Sequence, residues 1–168
     1  GLNGLIDYAQ TMPDVVMETV GSKILDPETR PFFFIDVYRG LFESIGLPTI
    51  KEWVKDVGEE GAVAIARHLA SPRPTNSDST FVPPLTKWIL SEFESSDRVF
   101  ANFCAGRYAL KAWWGSELEE YKIELQKQLP PYSRHELRRV REWAKYERSW
   151  IASMIKDNEK HFEEFERL

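Results

Sequence analysis

Arg134, Arg138, Arg141, Lys145 and Arg148 follow one another in steps of four, three, four and three within the stretch SRHELRRVREWAKYER. On a helix that spacing gathers five cations into one stripe about 21 Å long. Its chemistry is recognition: guanidinium and ammonium groups donate charge-assisted hydrogen bonds to carboxylates or phosphates. Ser133 to Arg148 holds six Arg or Lys against Glu136, Glu142 and Glu147, a local +3 in a chain whose net charge is −5. Three counterparts fit such a stripe: the acidic stretch just before it with Glu117, Glu119, Glu120 and Glu124, an acidic partner protein, or a nucleic-acid backbone. An acidic chain with pI near 5.3 does not coat nucleic acid with its whole surface, so only one local face needs a ligand.

Other residues offer chemistry more faintly. Trp113 and Trp114 stand together at the end of one helical run and could anchor an apolar partner surface. Trp143 and Trp150 lie one heptad apart on the apolar flank of the basic stripe, where core packing is expected, and Tyr146 lies beside them. Cys104 falls in an apolar helical set with Phe100 and Phe103 and reads as a buried, inert thiol. Arg67 and His68 precede a proline-rich segment, and neither His68, His135 nor His161 has metal-ligand spacing, so no metal is expected. The chain contains no glycine-rich phosphate loop, nucleophile elbow or HExxH helix, and no cofactor is expected. Glu142 beside Trp143 on the basic helix is the place to look for the acid a base-excising enzyme would need.

These residues must be carried by helices. Val99, Phe100, Phe103 and Cys104 recur at helical spacing, as do the apolar positions elsewhere, and no segment alternates as a strand would. Helices are expected over Pro13–Leu25, Glu28–Ser44, Thr49–Val57, Glu60–Ala70, Pro84–Glu94, Asp97–Lys111 and Ser116–Gln128, with one long helix from Ser133 onward. Capping boxes are read at Thr49 with Glu52, Ser116 with Glu119 and Ser133 with Glu136, and Gly46, Gly58 and Gly115 separate runs. On the last helix Leu137, Val140, Ala144, Ile151, Met154 and Ile155 form an apolar side about 110° from the cations. The fold class is therefore all-α: stacked antiparallel helical hairpins, as an α-solenoid or an irregular bundle, with a long C-terminal helix. The 168 residues, 42% of them hydrophobic, suit one domain, 1–168, divided by the proline-rich loop 71–83 into sub-halves 1–70 and 84–168. The opening GLNGLIDYAQ reads as a piece cut from a larger protein. A single cysteine points to a reducing, cytoplasmic setting, and no run is apolar for long enough to span a membrane.

DRVFANFCAG and LRRVREWAKYE resemble the second helices of HEAT-like repeats, with Val140, Arg141 and Ala144 matching a Val-Arg pair and a small packed residue, and Asp97, Val99 and Ala101 matching more loosely. The resemblance covers about residues 84–148, and helix pairs 13–44, 49–70, 84–111 and 116–148 would be the units. It implies a scaffold or binding surface; some HEAT-like proteins grip nucleic acid and a few are DNA glycosylases. The expected function is a non-catalytic interaction module. Its partner is an acidic protein surface or the remainder of a larger polypeptide, met by Arg134, Arg138, Arg141, Lys145 and Arg148 with Trp113 and Trp114 as anchors. Nucleic-acid binding is the alternative reading and an enzyme of the base-excision type the third.

Overall fold

A computed structural model describes residues 2–26, 35–108 and 118–165. These residues are helical with connecting turns, and no strand occurs among them. The contacts divide the chain into two compact units, Gly1–Ser71 with Val82–Lys111, and Pro72–Phe81 with Ala112–Leu168.

The first unit contains α1 (Leu2–Thr11), α2 (Pro13–Leu25), α3 (Ile35–Ile45), α4 (Leu47–Val57), α5 (Glu59–Ala66), α6 (Pro84–Glu92) and α7 (Asp97–Tyr108). Its centre is α5, where Gly61, Ala62, Val63, Ala64, Ile65 and Ala66 are all buried. After the exposed Glu59 and Glu60 of its first turn, the helix holds only small and apolar residues and has no solvent face to spare, so it takes neighbours on several sides. It packs against α2, α4, α6 and α7, while α1 lies on α3 and α2 on both α3 and α4. Val16, Met17, Leu41, Phe42, Ile50, Val54, Ile89, Leu90, Val99 and Phe103 fill the spaces between. The tight corners at Gly46 and Gly58 have φ of 88° and 81°, values that a side chain resists.

α1 was not foreseen from the sequence. Gly4 lowers its intrinsic helix propensity, and packing against α3 supports its helical state. α4 begins at Leu47, two residues earlier than its expected cap, because Gly46 makes the turn and Pro48 occupies the first helical turn. Thr49 therefore sits inside the helix, and its hydroxyl donates to Asp14 Oδ1 at 3.2 Å. At α7, Ser96 is the N-cap: Val99 N–H donates to its hydroxyl oxygen at 3.1 Å, and that hydroxyl donates to Glu59 of α5.

The second unit contains α8 (Leu118–Ile123), a π-helical turn (Glu124–Gln128), a 3-10 turn (Pro130–Arg134) and α9 (Arg138–Phe165). Tyr132 and Trp143 are each about 1% exposed and meet edge to face with centroids 5.5 Å apart. Around them pack Leu129, Val140, Ala144 and Ile151, and Tyr121 of α8 meets Trp150 of α9 edge to face at 6.0 Å. The polar segment 72–81 is closed by Arg73 N–H donating to the Phe81 carbonyl at 3.2 Å. Within it, Asp78 Oδ1 accepts from both the backbone and the hydroxyl of Thr80. Tyr132 ties this loop down by donating to the same Phe81 carbonyl at 2.9 Å.

The last helix starts later than the capping box at Ser133 implied. Two successive prolines, Pro130 and Pro131, open a 3-10 turn, and the Ser133 hydroxyl donates back to the Pro130 carbonyl at 2.7 Å instead of capping a helix. The α-helix begins at Arg138 and runs 28 residues, about 42 Å. Ser116 and Gly115 lie outside the described residues.

Candidate functional site

The site is the solvent face of α9. At 100° per residue, the buried residues Arg139, Val140, Trp143, Ala144, Glu147 and Ile151 span about 140° of the helix. Arg138, Arg141, Lys145 and Arg148 fall within about 80° on the opposite side. Lys156 lies five turns on from Arg138 at the same angle and is exposed, which lengthens the stripe to about 27 Å. Ser149 and Ala152 are the exposed residues between these cations. Sequence reasoning passed over Lys156 because about two uncharged turns, Ser149 to Ile155, intervene; its angular match to Arg138 was the available signal.

The five expected cations have different duties. Arg134 is not on the helix: it ends the 3-10 turn, exposed, ahead of the His135–Leu137 corner. Arg141 is turned back onto that corner, where one guanidinium nitrogen donates to the carbonyls of His135 at 2.7 Å and Glu136 at 2.8 Å. The His135 ring Nδ1 accepts the Leu137 N–H at 3.1 Å, so the corner is held from both sides. Arg138 pairs with Glu142 at 2.8 Å. Lys145 and Arg148 are exposed, and like Arg134 and Lys156 they make no ion pair with any described residue. In particular, Glu120 and Glu124 of the preceding acidic stretch do not pair with these four.

Two carboxylates of α9, Glu142 and Glu147, are engaged or buried. Glu142 is shared between Arg138 and Arg139, each at 2.8 Å, and the Arg139 side chain is only 5% exposed. Glu147 is about 2% exposed. Arg139, Trp143 and Glu147 are spaced by fours, so the two charges bracket the buried indole on one helix face. That spacing was the sign that both belong to the interior, and a count of net charge along the stripe hides it.

The remaining candidates are placed as follows. Trp113 and Trp114 lie outside the described residues. Cys104 is buried in α7. His68 is buried beside Phe42, with ring centroids 6.0 Å apart. Trp143 is enclosed in the core and Glu142 is occupied by two guanidiniums, so these two do not form an accessible acid and stacking ring. Tyr146, 40% exposed, is the aromatic nearest the stripe that faces solvent, and Glu142 stands between it and the cations on the wheel. Among the described residues no three His, Cys, Asp or Glu side chains gather as a metal ion would require, and no helix is long and apolar enough to cross a membrane.

Set against protein-family models, curated proteins and solved structures, the chain matches none.

Proposed function

We propose that this chain is a non-catalytic interaction module whose α9 face docks an acidic protein segment, on another protein or elsewhere in a larger polypeptide. The observation that carries this reading is the set Lys145, Arg148 and Lys156 on the solvent face of α9, with Arg134 on the turn before it, all exposed and without an ion pair among the described residues, while Glu147 is buried. An acidic helix presents carboxylates at the same three- and four-residue repeat and can meet the cations one by one. Each solvent-exposed pair contributes about 0.2–1 kcal/mol, so the expected complex is weak and salt-sensitive, with steering as its main gain.

Nucleic acid fits this face less well. Single strands are gripped by bases stacked on rings beside a basic track. Here Trp143 is buried and Trp150 is engaged with Tyr121. The net charge of −5 also opposes a polyanion at long range. As architecture, stacked helical pairs of the HEAT-like kind fit the packing of α1 on α3, α2 on α4 and α5 on α7. A cytoplasmic setting suits the lone, buried Cys104.

The test is a polarisation titration with a labelled Glu-rich helical peptide, duplex DNA and single-stranded RNA in parallel, for the parent and for Lys145→Glu with Arg148→Glu. The peptide should bind the parent, and the double variant should lose about tenfold or more, since reversing two charges turns attraction into repulsion. Tighter binding of either nucleic acid, with log K falling by about 3–4 per decade of salt as four phosphate contacts require, would replace this reading.

A further inference from the structure

A second face, on α1 and α2, is apolar without being core. Leu5, Tyr8, Met12 and Val15 are 40%, 48%, 44% and 43% exposed. Leu5 and Tyr8 stand about one turn apart on α1, Val15 lies in the first turn of α2, and Met12 is the joint between them, its φ of −132° and ψ of 58° ending one helix and opening the next. Met12 N–H donates to Tyr8 O at 2.8 Å and Val16 N–H to Met12 O at 3.2 Å, so the exposed residues follow one another closely along the row through the joint. Ala9, Val16, Met17 and Val20 are buried beside them. The apolar surface around this joint thus runs past what the unit covers.

A carboxylate stripe runs beside the row. Asp7 of α1, next to Tyr8, and Asp14 and Glu18 of α2, about 100° and 60° from Val15 on that helix, are exposed. Asp14 also accepts the Thr49 hydroxyl, which keeps its oxygen at this edge. Lys23, the cation of α2, lies about 140–180° from Glu18 and Asp14 on that helix, away from the carboxylates.

We propose that this face binds an amphipathic helix of a partner protein that carries an apolar row and a flanking row of Lys or Arg. Apolar side chains of such a helix would seat between Tyr8, Met12 and Val15 while its cations meet Asp7, Asp14 and Glu18. Tyr and Met suit the task, one broad and stiff, the other adaptable. A second copy of this chain is a poorer occupant: the cationic face of α9 has Ser149 and Ala152 between its charges and no large apolar side chain to fill the row. An anionic lipid surface is opposed by the carboxylates. This inference stands on unit one alone and does not depend on α9.

The probe is a labelled helical peptide of about 18 residues with a Leu row and a Lys flank, against the same peptide with Glu for Lys. The Lys form should bind the parent at least about tenfold more tightly than it binds Tyr8→Ser with Met12→Ser, and than it binds Asp7→Lys with Glu18→Lys. All these residues are exposed, so far-UV circular dichroism should be unchanged. Lys145→Glu with Arg148→Glu should bind the Lys form as the parent does. The proposal is overturned if the Lys form fails to bind, or binds Tyr8→Ser with Met12→Ser as well as the parent. It is equally overturned if sedimentation shows parent self-association that this variant abolishes, which would give the face to a second copy.

Discussion

Gly106 of α7 lies on the backbone carbonyl of Arg67 at the end of α5: a Cβ there would stand 2.7 Å from the carbonyl carbon and closer still to its oxygen. The obstacle is main chain and cannot rotate aside, so the two helices must separate to admit a methyl group. Gly106→Ala is therefore expected to destabilise the protein by about 2 kcal/mol, the overpacking cost exceeding the usual helical gain of alanine over glycine. Gly40 of α3 has nothing within 4 Å of the same position, and Gly40→Ala should raise stability by about 0.5–1 kcal/mol. Urea midpoints of the two variants moving in the same direction would contradict this packing.

At the other end of the same helix pair, two polar contacts of unequal worth join α5 to α7. Ser96 caps α7 and donates to Glu59, so Ser96→Ala should cost about 1 kcal/mol through an unsatisfied first-turn N–H. Arg98 forms a bidentate pair with Glu60, at 2.6 and 3.1 Å, with both side chains more than half exposed. Solvent screening leaves such a pair little net effect, and Arg98→Ala should not move the urea midpoint. The reverse order of effects would mean that the ion pair, not the cap, joins the helices.

The cations of α9 should separate into structural and free groups. Arg141 holds the corner before the helix through the His135 and Glu136 carbonyls, so Arg141→Ala is expected to lower stability by about 1–2 kcal/mol. Lys145→Ala and Arg148→Ala, which remove no side-chain hydrogen bond or ion pair with a described residue, should stay within about 0.5 kcal/mol of the parent. Thermal melts read this directly. A neutral Arg141→Ala would return Arg141 to the docking face.

Much of the helical layout could be read from local signals. α2 runs from Pro13 to Leu25 as expected, and α6 and α7 start at the expected Pro84 and Asp97, because a first-turn proline and an N-cap serine act within one turn. Reading failed where a tertiary contact or a competing turn decides. α1, weakened by Gly4, packs against α3; Ser133 was claimed by the Pro130–Pro131 turn before it could cap α9. The basic stripe was legible as charges at helical spacing. Its division was not: whether a guanidinium meets solvent, as Arg148 does, or a backbone carbonyl, as Arg141 does, depends on where the preceding corner folds back.

Tyr132 gives the second unit a pH dependence of definite sign. Burial raises its phenol well above the ordinary tyrosine range, the Asp78 carboxylate raises it further, and Arg73 opposes them. The native state thus keeps a proton that the unfolded chain releases above about pH 10. The stability this contributes is complete below pH 10 and is lost as pH rises from there toward the native value, at up to about 1.4 kcal/mol per pH unit. Tyr132→Phe removes the hydrogen bond to Phe81 and should cost about 0.5–1.5 kcal/mol at neutral pH. The Phe81 carbonyl still accepts the Arg73 N–H, so no acceptor is stranded. The variant also removes the titrating group. Its melting temperature should therefore fall less steeply above pH 10, and the two curves should converge or cross by about pH 11. Because the two proteins differ only at Tyr132, the difference between the curves isolates it; parallel curves through pH 11 would mean that the phenol is not buried in the folded protein.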